Sequence, residues 1–174
     1  MKKLVTMAVG CGLLAGAALF AGPNMDFKPY EGSAQFQKLK KLSGKWEGTS
    51  KMGKEDQKVT VEYHITSGGS ALVETLFPGT PQEMVSVYRD KGGKLAMTHY
   101  CMLHNQPEME LKSANDKEVV LELAKSSGIK PSEQHMHSLA ITFTDDDHIT
   151  QNWGCMDPGG KPGESKIMSF SRVK

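Results

Sequence analysis

Residues 67–88 read SGGSALVETLFPGTPQEMVSVY and contain two short strands with a turn before each. Residues 71–77 and 83–90 are rich in Val, Thr, Phe and Tyr in rough alternation, which is typical of β-strands. The segments 67–70 and 78–81 supply Gly and Pro, whose backbone geometries suit tight turns. Connections this short favour antiparallel neighbours, because a parallel crossover needs about a dozen residues or more.

The same pattern continues on both sides of this segment, from Lys45 to Val173. A flat meander of so many strands would leave two long unpaired edges, and closure into an up-and-down barrel removes them. The sequence therefore predicts an all-β fold, an up-and-down antiparallel barrel of about ten strands. The predicted strands are 45–52, 58–66, 71–77, 83–90, 94–103, 108–113, 118–124, 135–144, 148–156 and 166–173.

One helix is predicted, over residues 33–42, before the first strand. Ser33 can cap it, Phe36, Leu39 and Leu42 recur at helical spacing, and Gly44 can end it. We expect this short N-terminal helix to cap one open end of the barrel.

The first 22 residues have the composition of a secretory signal peptide. Lys2 and Lys3 precede an apolar stretch that contains small residues suited to signal peptidase. The predicted organisation is a signal peptide at 1–22, an N-terminal segment with the capping helix at 23–44, and the barrel domain at 45–174. We expect a periplasmic or secreted protein. Lipid anchoring through Cys11 is the alternative, although Ala8 stands where a lipobox usually has Leu.

The charge pattern argues against nucleic acid as a partner. Without Lys2 and Lys3 the chain has 19 basic and 20 acidic residues, interspersed along its length. No basic patch of the kind that binds phosphate backbones is present. No segment after the signal peptide is long and apolar enough to predict a membrane-spanning helix, and oligomeric state is left open.

Several segments resemble a known family. The stretch 42–48, LSGKWEG, follows the predicted helix and looks like the opening of calycin-type barrels, including the lipocalin-like and nitrobindin-like branches. Residues 67–88, MTHYCMLHNQPEM at 97–109, and HMHSLAITFTDDDHITQNW at 135–153 resemble an uncharacterised family of exported bacterial lipocalin-like proteins. The resemblance covers about residues 40–173 and implies a barrel, without an established function.

Alternation predicts which polar side chains face the barrel interior. The more apolar face of strand 94–103 carries His99 and Cys101, and the apolar face of strand 135–144 carries His135 and His137. The orientation of Glu74 is ambiguous. We expect His99 to lie within hydrogen-bond or shared-ligand reach of His135 or His137. The predicted ligand-binding cluster in the lumen is His99, Cys101, His135, His137, Gln151 and Trp153, with Asn105 and Gln106 in a loop at the barrel mouth.

Three interpretations of this cluster remain open. The first is a satisfied interior hydrogen-bond network, the second a disulfide between Cys101 and Cys155, and the third a metal or haem site that uses some of the histidines. The sequence contains no compact ligand motif. Candidate metal ligands are His99, Cys101, His135, His137 and Cys155.

Haem is a further hypothesis, because nitrobindin-like barrels bind haem through one histidine near the C-terminal strands. This chain does not show the full nitrobindin pattern there, and His148 in DDDHIT is predicted to be an exposed loop residue. The sequence thus identifies no cofactor.

We expect the lumen to bind a small, largely apolar molecule without chemistry, because the resemblance implies such a barrel and the predicted lumen mixes apolar and polar groups. No enzyme motif is recognisable in the sequence. The rivals are metal or haem binding, an enzyme that uses the His99, His135 and His137 cluster, and an interaction protein that presents loops.

Overall fold

A computed structural model describes residues 28–52 and 55–174 of the chain. The predicted signal peptide and Cys11 lie outside the described residues. Within those ranges the chain forms one α-helix, α1 (Ala34–Lys40), and eleven strands. The strands are β1 (Gly44–Met52), β2 (Glu55–Thr66), β3 (Ala71–Leu76), β4 (Met84–Lys91), β5 (Lys94–Tyr100), β6 (Glu108–Ala114), β7 (Glu118–Leu123), β8 (His135–Phe143), β9 (His148–Asp157), β10 (Lys161–Pro162) and β11 (Lys166–Arg172).

Ten of these strands close into an antiparallel barrel, as predicted. Strands β1 to β9 pair in chain order, and β11 lies between β9 and β1. The two-residue β10 pairs only with β9. Closure gives each long strand two neighbours, so no long edge of the sheet is left open.

The helix closes one end of the barrel. The Ser33 side chain caps it by accepting a hydrogen bond from the backbone N–H of Phe36, and Phe36 and Leu39 are fully buried in the core. The ammonium of Lys38 donates to the carbonyl oxygens of Asn115 and Asp116, at 3.0 and 2.6 Å, in the β6–β7 turn. No helix in the described ranges is long and apolar enough to cross a membrane.

The stretch LSGKWEG joins the helix to the strand that closes the barrel. Trp46 is fully buried, and its indole N–H donates to the carbonyl of Leu42 at 2.7 Å. The Arg172 guanidinium lies 4.2 Å from the centre of the Trp46 ring. Gly48 is required by close approach, because a Cβ atom there would lie 1.8 Å from the carbonyl oxygen of Ser169. The contacts of Trp46 and Gly48 therefore hold β1 against β11.

Strand β5 is shorter than predicted. It ends at Tyr100 rather than at residue 103. The chain turns after Cys101, where the backbone N–H of His104 donates to the Cys101 carbonyl at 3.0 Å and His104 has a φ of 61°. Cys101 therefore lies just beyond the strand, while His99 lies within it.

The predicted orientation of His135 and His137 was wrong, because β8 contains a bulge. Met136 pairs with Cys155 and Ser138 pairs with Gly154, so His137 is an extra residue without a partner in β9. A bulge of this kind breaks the alternation of inward and outward side chains. Met136 faces the interior cavity, and neither histidine lines it.

Candidate functional site: an apolar cavity at the open end of the barrel

A cavity of about 250 Å³ lies at the end of the barrel away from α1. Its wall comes from the ends of β3, β5 and β9, the starts of β4, β8 and β11, and the loop after Cys101. The accessible surface of this wall is almost wholly apolar. We call it the mouth cavity. It is lined by Leu76, Phe77, Met84, His99, Cys101, Met102, Leu103, Gln134, Met136, Trp153, Cys155, Lys166 and Met168.

Most polar groups of the wall are engaged elsewhere. The Gln134 amide donates to the carboxylate of Asp157 at 2.9 Å, and the Lys166 ammonium pairs with Glu164 at 2.6 Å. His99 is the wall side chain that has a ring nitrogen left to contact a ligand.

His99 is buried on the inward face of β5, with 2% of its surface exposed. Its Nδ1 atom lies 3.0 Å from Oγ of Ser86, directly across on β4, and its ring lies 4.6 Å from the Trp153 ring. Burial lowers the pKa of His99 to about 4. The imidazole is therefore neutral at neutral pH.

Behind His99 lies a hydrogen-bonded network around a fully buried carboxyl, Glu74. The Tyr88 hydroxyl and the Gln151 amide both donate to Glu74, the latter at 2.7 Å. Burial raises the pKa of the Glu74 carboxyl, and these donors oppose that rise. Burial also raises the pKa of Tyr63 and Tyr88 well above the ordinary tyrosine value.

Gln151 connects the network to Trp153 in the cavity wall. Its Nε2 lies 2.6 Å from the Tyr63 hydroxyl, and its Oε1 accepts from the Trp153 indole N–H at 2.9 Å. The indole is only a donor, so this bond fixes the orientation of the amide.

Sequence reasoning missed much of this network. Tyr63, Glu74, Ser86 and His99 form one transverse row, since each is the direct cross-strand partner of the next. Such a row depends on the register between four strands, which a single sequence does not reveal. The sequence did show a polar residue on the apolar face of each of these strands, which could have indicated the network. For Glu74, however, the alternation did not indicate whether the side chain faced inward.

The expected contact between His99 and the other two histidines was wrong. His99 bonds to Ser86, whereas His135 and His137 bond to each other, with Nε2 of His135 3.3 Å from Nδ1 of His137. The Nδ1–H group of His135 donates a hydrogen bond to the Glu133 carbonyl at 2.7 Å. Because of the β8 bulge, this pair forms a local contact at the start of the strand.

Both predicted cavity cysteines line the mouth cavity, and both are free thiols. Burial raises the pKa of Cys101, and the nearby Cys155 raises it further. Burial likewise raises the pKa of Cys155. The protonated thiol is therefore the dominant form of each at neutral pH.

The predicted mouth-loop residues, Asn105 and Gln106, do not belong to the cavity wall. Asn105 is buried, and its amide donates to the Gln134 carbonyl at 2.8 Å. Gln106 is exposed. Neither residue lines the cavity.

The described residues do not fit the proposed metal or haem sites. No group of three or more His, Cys, Asp or Glu within 28–52 and 55–174 could hold a metal ion. Drug-sized ligands occupy pockets of roughly 300–1,000 Å³. A cavity of about 250 Å³ is too small for a porphyrin. His148 is exposed, as predicted, but it is the first residue of β9 rather than a loop residue, and its ring bonds to Asp145 in the preceding turn.

Comparison with known proteins relates this chain to others by fold. No protein-family model matches the sequence, and no curated protein matches it. A protein with unknown function of the DUF3598 family, from Nostoc punctiforme PCC 73102, is similar with a TM-score of 0.54 and 12% identity. The match covers 78% of this chain and 49% of that chain, so this chain spans about half its length.

The crystal structure of Rv2717c from M. tuberculosis is similar with a TM-score of 0.54 and 13% identity. That match covers 82% of this chain and 99% of the other. At these identities the similarity establishes the barrel fold alone.

Proposed function

We propose that this chain is an exported, lipocalin-like protein that binds a small, largely apolar molecule in the mouth cavity without transforming it. The observation that carries the proposal is an apolar cavity of about 250 Å³ at the end that the helix leaves open. Small closed barrels either fill their interior with side chains or hold one small ligand, so an unfilled apolar space lined by the His99 ring favours a binding site. Export rests on the signal-peptide pattern at residues 1–22.

Catalysis by the three histidines is disfavoured. That hypothesis required His99, His135 and His137 to meet around one substrate. Only His99 lines the cavity, and the other two bond to each other at the start of β8.

The two tryptophans of the chain provide a test with an internal control. Trp153 lines the mouth cavity, whereas Trp46 lies in the core at the helix end. Bromobenzene is a small apolar quencher of indole fluorescence. We expect saturable quenching in Trp46→Phe, which keeps only Trp153, and only weak, linear quenching in Trp153→Phe. Linear quenching of both variants, with circular dichroism showing a folded barrel, would argue against binding in the cavity.

A further inference from the structure

Two aromatic rings in the wall of the mouth cavity are held in place from behind. The indole N–H of Trp153 donates to Oε1 of Gln151 at 2.9 Å, and the imidazole of His99 bonds to Ser86 at 3.0 Å. The centres of the two rings lie 4.6 Å apart, and their planes are tilted by 43°. Because these bonds fix both rings before a ligand arrives, the pair is a preorganised surface against which a third aromatic ring can pack edge-on or offset.

A third aromatic side chain of the wall lies on a strained backbone. Phe77 follows β3 directly and has a φ of 55°, in the left-handed region that bulky residues rarely adopt. Its N–H donates to the Thr60 carbonyl at 2.9 Å, and its carbonyl accepts from the N–H and the hydroxyl of Thr80, at 3.2 and 2.9 Å. Residues held in such conformations cluster at ligand-binding and active sites. A phenyl ring in the wall is therefore kept at a cost to the backbone.

The wall is also enriched in sulfur. Methionine accounts for 11 of the 174 residues of the chain but for four of the thirteen residues of the wall. These four come from separate elements, namely Met84 from β4, Met102 from the loop after β5, Met136 from β8 and Met168 from β11. Methionine sulfur makes favourable contacts with aromatic rings, often at the ring edge, and a saturated ring offers no such contact.

The volume of the mouth cavity suits one ring. An apolar cavity of about 150 Å³ is large enough to bind benzene. At about 250 Å³, the mouth cavity has room for one ring with small substituents. The ammonium of Lys166 in the wall is already paired with Glu164, so a charged substituent would find no free partner in it.

We propose that the mouth cavity selects a compound with one aromatic ring over a saturated ring of the same carbon skeleton, through Trp153, His99 and the methionine sulfurs. This inference rests on the proposed function and adds the chemical class of the ligand. The bound ring packs against the two fixed rings and meets the sulfur atoms at its edge. A saturated ring also gains from its removal from water, but it makes neither of these interactions.

Toluene and methylcyclohexane test this selection, because they share a carbon skeleton and differ in aromaticity. Methylcyclohexane is the more hydrophobic of the two, so a cavity that only excludes water would bind it more tightly. The reference is therefore the ratio of their partition coefficients between hexadecane and water. Both affinities are measured by displacement of bromobenzene, followed through Trp153 fluorescence in Trp46→Phe. We expect the affinity ratio of toluene to methylcyclohexane to exceed the partition ratio about tenfold, as one aromatic pair or a few sulfur contacts would give.

Matched variants assign the preference to the wall methionines. Met84→Leu combined with Met168→Leu removes two sulfur atoms from the wall at nearly constant volume, and should lower the tenfold excess to about threefold. Met97→Leu combined with Met109→Leu makes the same change at two fully buried residues outside the wall, and should keep the tenfold excess. If the wall variant does not fold, the ratio measured with Trp46→Phe alone still decides the question.

The outcomes separate the two proposals. Binding of both probes in the ratio that partitioning predicts would overturn the aromatic inference and leave the proposed function standing. The same holds for saturable bromobenzene quenching that toluene does not reverse. An unchanged excess in the wall variant would also overturn the inference, because the wall sulfurs would then contribute nothing. Absence of saturable bromobenzene quenching, with no binding of either probe, would overturn both proposals.

Discussion

The Oγ atom of Ser86 lies 3.0 Å from Nδ1 of His99, and the two residues are direct cross-strand partners on β4 and β5. Ser86 is also the direct partner of Glu74 on β3. Ser86 therefore lies between a histidine in the cavity wall and a carboxyl that is fully buried in the core.

Removing that hydroxyl should destabilise the protein. Ser86→Ala leaves the buried Nδ1 atom of His99 without its hydrogen-bond partner. We expect the free energy of unfolding in urea to fall by about 1–3 kcal/mol, the cost of leaving a buried polar group unsatisfied. Ser169→Ala, the same change at an exposed position of β11, should be close to neutral. Equal stability of the two variants would show that the Ser86 bond contributes nothing.

His99 should make the barrel less stable in mild acid. Its pKa is 6.5 in an unfolded chain and about 4 in the folded barrel. Between these values the unfolded state binds more protons, so stability falls as the pH drops from about 6.5 toward 4. The loss approaches about 3 kcal/mol, at about 1.4 kcal/mol per pKa unit.

The raised pKa of Glu74 acts in the opposite direction, because it favours proton uptake by the folded state. Comparison with His99→Asn isolates the histidine effect. Urea unfolding of both proteins at several pH values should show the gap between them change by about 3 kcal/mol over this range. A gap that is independent of pH would contradict the buried, neutral state of His99.

The fold could be predicted from the sequence because its determinants are local. Turns such as 67–70 and 78–81, and the alternation within strands, predicted an antiparallel barrel and its capping helix, and the structure confirms both. Ser33, Phe36 and Leu39 also have the predicted roles in α1.

The arrangement within the site could not be predicted, because it depends on register and on one irregularity. His135 and His137 share a face with Leu139 in a regular strand, but the bulge in β8 separates them from the cavity. Likewise, the alternation in ALVETL did not decide whether Glu74 faced inward. In the structure the Glu74 side chain is fully buried and lies beside Ser86 in the transverse row.

Gly48 should be needed for barrel closure. The Cβ atom of an alanine there would meet the Ser169 backbone at 1.8 Å, so β1 and β11 would have to separate. We expect Gly48→Ala to lower the free energy of unfolding by about 1–3 kcal/mol or more. Gly154→Ala is the matched control, since its Cβ would meet only the side-chain oxygen of Ser138, which can rotate away. A larger loss of stability for Gly154→Ala would refute the role of Gly48.

The cavity thiols should react slowly at neutral pH. Burial raises the pKa of both Cys101 and Cys155, so the thiolate fraction is smaller than for an ordinary cysteine. Alkylation by iodoacetamide, followed by peptide mass spectrometry, should be slower than in urea-unfolded protein and should accelerate as the pH rises. Toluene in the cavity should slow it further at both residues. Rates equal to those of the unfolded chain would contradict the burial of the thiols.

The most direct test of ligand binding in the mouth cavity is methyl NMR of protein labelled at its methionine methyl groups during a titration with toluene. Met84, Met102, Met136 and Met168 line the cavity, whereas Met97 and Met109 are fully buried outside its wall. We predict saturable shifts of the four cavity methyl signals, with Met97 and Met109 nearly unchanged. Absence of saturable shifts, or equal shifts of all six signals, would contradict a binding site in this cavity.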